Sequence, residues 1–74
     1  MARIELESPV TGVVWKVTAP PGTSVITGDT VVIVESMKME IPIEAPVDGE
    51  LLEIKVNEGD SIQDGQVLAV MEED

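Results

Sequence analysis

Apolar residues in this chain come in short runs rich in Val and Ile, broken by Gly, Pro, Asp and Thr. Val13-Val14-Trp15-Lys16-Val17 and Thr30-Val31-Val32-Ile33-Val34 read as strands in the first half. Glu50-Leu51-Leu52-Glu53-Ile54-Lys55-Val56 and Gln66-Val67-Leu68-Ala69-Val70-Met71 repeat the pattern in the second. Helical periodicity is absent. The spacing predicts about eight strands of roughly three to seven residues, and so an all-β sandwich or flattened barrel.

The second half of the chain repeats the first. At an offset of 37, residues 2–37 align with 39–74 without a gap. All six glycines pair in this way, Gly12 with Gly49, Gly22 with Gly59 and Gly28 with Gly65, and Pro9 pairs with Pro46. Ile4/Ile41, Glu7/Glu44, Val10/Val47, Ser24/Ser61 and Glu35/Glu72 are identical, while Val14/Leu51, Val17/Ile54, Val25/Ile62, Val31/Leu68 and Ile33/Val70 stay apolar. Paired glycines suit turns with positive φ or close backbone approach. Two like halves bury their apolar faces most simply against each other. The expectation is one domain over 1–74, with two four-stranded antiparallel sheets related by a pseudo-two-fold axis.

One residue lies between the halves: Lys38, in the run Glu35-Ser36-Met37-Lys38-Met39-Glu40. The offset maps it onto position 1 and onto a point just past Asp74, so both termini belong at the end opposite Lys38. A lysine on a hairpin tip far from the chain ends is placed to be offered to another molecule. Beside Glu35 and Glu40 it should stay protonated, because carboxylates favour the charged form. Met37 and Met39 have flexible side chains that adapt to an enzyme surface, with gap-filling in a small core as their other reading. Lys16 and Lys55 interrupt strand-like runs and read as solvent-facing; Trp15, among valines, reads as packing, with Leu52 in the equivalent place. Asp60-Ser61-Ile62-Gln63-Asp64-Gly65 lacks the alternating ligands of a calcium loop and reads as a turn.

Composition removes most chemistry. At 74 residues the chain can support only a marginal core, yet 43% hydrophobic residues argue for folding rather than disorder. Four Lys plus Arg against fifteen Asp plus Glu leave a net charge of −11, which repels nucleic acid and anionic membrane surfaces. Cys and His are absent, so disulfides, zinc sites and the usual nucleophile pairs are excluded; no catalytic or metal-binding set is expected. No apolar stretch resembles a signal or a membrane span, and a cytoplasmic protein, monomeric in isolation, is expected.

Around Lys38 the residues resemble a known family. Glu35-Ser36-Met37-Lys38-Met39-Glu40, with Ala45-Pro46-Val47-Asp48-Gly49 and Val56-Asn57-Glu58-Gly59-Asp60-Ser61-Ile62, is similar to the biotinyl domain of biotin-dependent carboxylases and to free-standing biotin/lipoyl attachment proteins. The likeness runs from Ser8-Pro9-Val10-Thr11-Gly12 to Val67-Leu68-Ala69-Val70-Met71-Glu72. It implies a non-catalytic carrier whose Lys38 receives biotin from a biotin protein ligase, with Met37, Met39, Glu35 and Glu40 as ligase-recognition residues. Biotin would then carry a carboxyl group from a biotin carboxylase to a carboxyltransferase. Since amine attack needs a neutral nucleophile, the base must come from the ligase.

Two rivals stand beside this reading. Lipoyl domains of 2-oxo acid dehydrogenases also modify a hairpin lysine, so lipoate is the alternative cofactor; the flanking methionines favour biotin. An unmodified interaction scaffold is the other. Some biotinyl domains carry an inserted "thumb", whereas Ala19-Pro20-Pro21-Gly22 here is as short as Val56-Asn57-Glu58-Gly59, so no thumb is expected and attached biotin should be mobile.

Overall fold

The computed structural model describes residues 2–74. Its eight strands are β1 (Arg3–Glu7), β2 (Gly12–Val17), β3 (Ser24–Val25), β4 (Thr30–Ser36), β5 (Met39–Glu44), β6 (Gly49–Ile54), β7 (Ser61–Ile62) and β8 (Val67–Glu73). Two four-stranded sheets, β1-β8-β6-β3 and β5-β4-β2-β7, form the layers, and every pairing is antiparallel. No helix among the described residues is long and apolar enough to cross a membrane.

The offset of 37 carries β1 onto β5, β2 onto β6, β3 onto β7 and β4 onto β8, and turns the order of one sheet into that of the other. The pseudo-two-fold is therefore realised, but not as one half per sheet. Each sheet takes two strands from each half, so the halves interleave. The shortest strands, β3 and β7, lie at sheet edges and have two residues rather than the three expected. β7 also occupies part of the segment Asp60–Gly65 that reads as a turn in sequence.

Equivalent residues of the two halves enter one buried core between the sheets: Val14 and Leu51, Val34 and Met71, Val31 and Leu68, Val25 and Ile62. Each such side chain contributes about 1.5–3 kcal/mol on burial. Ser8 is the buried polar side chain of this core, and its Oγ donates to the Val10 carbonyl at 2.6 Å.

Both chain ends meet at one corner. The Glu73 amide donates to the Ala2 carbonyl at 2.8 Å, the Asp74 amide to the Asp48 carbonyl at 3.0 Å, and Asp48 Oδ1 accepts from the Thr27 amide at 2.8 Å. Thr27 lies three residues before the start of β4, which then runs about 20 Å away from that corner at roughly 3.3 Å per residue. The molecule is 35 Å long, and the β4–β5 turn lies at the end remote from the termini. Position 1, onto which the offset maps Lys38, lies outside the described residues.

Candidate functional site

Ser36 and Met39 pair at the end of the β4–β5 ladder, which leaves Met37 and Lys38 as a two-residue hairpin loop. Both have positive φ, 52° for Met37 and 66° for Lys38. That is the type I′ arrangement, whose twist matches the flanking strands and which favours Asn-Gly over residues with long side chains. Non-glycine residues pay roughly 1–2 kcal/mol each in this region. Strain of this kind, held by surrounding structure, collects at functional positions.

Several contacts hold the turn. Ser36 Oγ donates to the Thr11 carbonyl at 2.9 Å, and Thr11 Oγ1 accepts from the Asp64 amide at 3.2 Å, so two neighbouring loops brace the end of β4. Gly12 packs directly against the Glu35 carbonyl, where any Cβ would collide with that oxygen. Its counterpart Gly49 meets the Glu72 carbonyl in the same way.

Lys38 is exposed, and Met37 and Met39 are 92% and 65% exposed. Neither methionine fills the core. Glu35 and Glu40 face each other across β4 and β5 and are both exposed. Neither makes an ion pair with Lys38; among the described residues the one such pair is Lys55 Nζ to Glu53 Oε1, at 3.3 Å. The sequence brings these six residues together because they are contiguous, but it does not reveal the positive φ at Met37 and Lys38. No Gly or Asn marks the turn.

A tip of this form, at the far end of a pseudo-symmetric pair of four-stranded sheets, narrows the comparison with known proteins. Residues 5–71 match the biotin/lipoyl family described as biotin-requiring enzyme. The chain belongs to that family. Within it, the chain is 47% identical over 57 residues to the biotin/lipoyl attachment protein of Bacillus subtilis, covering 77% of this chain and 78% of the relative. It is 45% identical over 62 residues to the biotin-dependent acyl-coenzyme A carboxylase alpha3 subunit of Mycobacterium leprae, covering 84% of this chain and 10% of that subunit. The chain thus spans about a tenth of that larger relative. The crystal structure of Kluyveromyces lactis urea carboxylase superposes with a TM-score of 0.91 at 35% identity, over 96% of this chain and 6% of that one.

Trp15 departs from the sequence expectation. It is 47% exposed rather than packed. Val14 pairs with Val34 and Lys16 with Ile33, so Trp15 is the extra residue of a β-bulge and Lys16 beside it is exposed as well. Leu52 occupies the matching bulge in β6. Since both halves carry the bulge, their gapless alignment conceals it. The connection from β2 to β3, residues 18–23, is as short as that from β6 to β7, residues 55–60, and the fold has no thumb. Among the described residues, no three acidic side chains are grouped to hold a metal ion.

Proposed function

We propose that this protein is a biotin carboxyl carrier and that Lys38 is its attachment residue. The observation that carries the reading is the strained two-residue turn that exposes Lys38 between two exposed methionines at the end of the molecule remote from its termini. The fit to biotin is chemical: an acyl group needs an accessible primary amine, and Lys38 is exposed with no ion-pair partner among the described residues. In the attachment step, neutral Lys38 Nζ attacks the carbonyl carbon of biotinyl-adenylate, a C–N amide bond forms, the bond from that carbon to the bridging anhydride oxygen breaks, and AMP leaves with the bridging oxygen. The nitrogen's proton passes to a base of the ligase, since this chain has no His and no described residue forms an ion pair with Lys38. Met37, Met39, Glu35 and Glu40 are the side chains that the biotin protein ligase meets around the amine.

Once attached, biotin supplies a ureido nitrogen able to hold a carboxyl group between a biotin carboxylase and a carboxyltransferase. The chain's own part is to hold Lys38 outward and clear of its surface. These partners follow from the carboxylase relatives, of which this chain matches a small part.

A second reading, lipoate on the same lysine, is favoured by the relative named as a biotin/lipoyl attachment protein. Intact mass and peptide mapping after incubation with a biotin ligase or with a lipoate ligase separate the two. The expected result is one biotin adduct on Lys38 and none on Lys38→Arg. Lipoate alone would replace the carboxyl-carrier reading with acyl transfer, and no adduct with either enzyme would overturn both.

A further inference from the structure

The two outer sheet faces share one backbone design, so residues that differ at equivalent positions are not dictated by the fold. On the β1-β8-β6 face, Arg3, Glu5, Glu53 and Lys55 surround Val70, which is only 4% exposed, and Lys55 pairs with Glu53 at 3.3 Å. Charged side chains roof the apolar centre and neutralise one another. The offset carries these positions to Glu40, Pro42, Lys16 and Thr18 around Ile33 on the β5-β4-β2 face. There Ile33 is only half-buried, and Lys16 has no ion-pair partner among the described residues, although the chain's net charge is −11.

That second face is also the more apolar. Val13 stands where the other face has Glu50, and Trp15 where it has Leu52; they are 41% and 47% exposed. Val13 shares a rung with Glu35, one step from the Ser36–Met39 pair that closes the Lys38 turn. Trp15 lies about 10 Å from the turn along the strands, by the rise of roughly 3.3 Å per residue.

We propose that the outer face of β2, β4 and β5, centred on Val13, Trp15 and Lys16, is the surface on which the modifying biotin protein ligase docks. The proposal rests on the carrier reading. Its partner surface offers an apolar recess to Val13 and Trp15, a carboxylate opposite Lys16 and basic groups opposite Glu35 and Glu40. The ligase is the occupant because unmodified Lys38 reaches only as far as its four methylenes. An enzyme acting on Nζ must therefore come against the hairpin and the face that adjoins it. A modified lysine has the additional length of the biotin chain and enters a later active site without such close contact.

Substitutions drawn from the opposite face test this without straining the backbone. Val13→Glu with Lys16→Glu, and separately the charge-neutral Trp15→Leu, install residues that the equivalent positions Glu50, Glu53 and Leu52 already carry. Glu50→Val with Glu53→Lys is the reciprocal control. Biotin transfer to Lys38 by purified biotin protein ligase, with ATP and biotin, is measured against carrier concentration, with thermal unfolding of every variant. Both variants of the Val13–Trp15–Lys16 face should raise KM by about tenfold or more while kcat holds. Every variant should still unfold cooperatively from a folded state at the assay temperature, and the reciprocal control should keep the wild-type KM. Wild-type KM in both variants, or an equal rise in the reciprocal control, overturns the docking surface and leaves the carrier reading intact. An unlabelled wild-type protein overturns the carrier reading and this inference with it.

Discussion

Lys38 is held in place by a backbone that the chain would not adopt unaided. Met37 and Lys38 both sit at positive φ, and Asn at the first of these positions would relieve part of the strain. Met37→Asn should therefore stabilise the fold by roughly 1 kcal/mol. For a domain of this size that is about 4–8 °C in melting temperature. The same substitution removes an exposed methionine from beside the amine, so biotin transfer should slow as stability rises. Calorimetry together with the ligase assay checks both, and an unchanged melting temperature would remove strain from the account. Gly12 acts at the same scale. Gly12→Ala drives a methyl into the Glu35 carbonyl and should cost about 1–3 kcal/mol, as overpacking does. Gly49→Ala meets the same obstacle at the Glu72 carbonyl and should cost a similar amount, yet it leaves the hairpin alone. Amide shifts of residues 35–40 should therefore move in the Gly12 variant and not in the Gly49 variant.

At the scale of elements, the strands were legible because Val- and Ile-rich runs and turn glycines mark them, and the repeat made each half a check on the other. The interleaving of halves was not. A repeat states that two segments follow one path, whereas strand pairing depends on which edges meet, and nothing local encodes that choice. Trp15 shows the same limit, since a bulge adds one residue on one strand and turns two successive side chains, Trp15 and Lys16, to solvent. The position of Lys38 on a tip followed from its place between the halves, while the form of its turn did not. Met-Lys carries none of the Asn-Gly signature by which such turns are read.

For the whole molecule, charge and the terminal corner set the response to acid. Asp48 accepts hydrogen bonds from the Thr27 amide and from Thr27 Oγ1, at 2.8 and 3.0 Å, and these hold its carboxyl below its ordinary value of 3.8. On acidification the unfolded chain takes up this proton first. The stabilisation from Asp48 is thus complete above the ordinary value and is lost as pH falls from there through the lowered one. Asp48→Asn should flatten that part of the stability profile, as measured by thermal unfolding from neutral pH downwards. An unaltered profile would show that the Thr27 contacts do not couple to folding.

Interleaved halves also impose an order in time. The sheet that carries Lys38 includes β7, and the core beneath it includes Leu68 and Met71 of β8, so neither sheet exists until nearly the whole chain is available. An isolated β4–β5 hairpin is at best marginally stable in water. The lysine is synthesised midway along the chain but held out in its turn only when the last strand is in place. An enzyme that reads the turn thereby reads the completion of the entire fold, and unfinished chains present it with an ordinary flexible lysine.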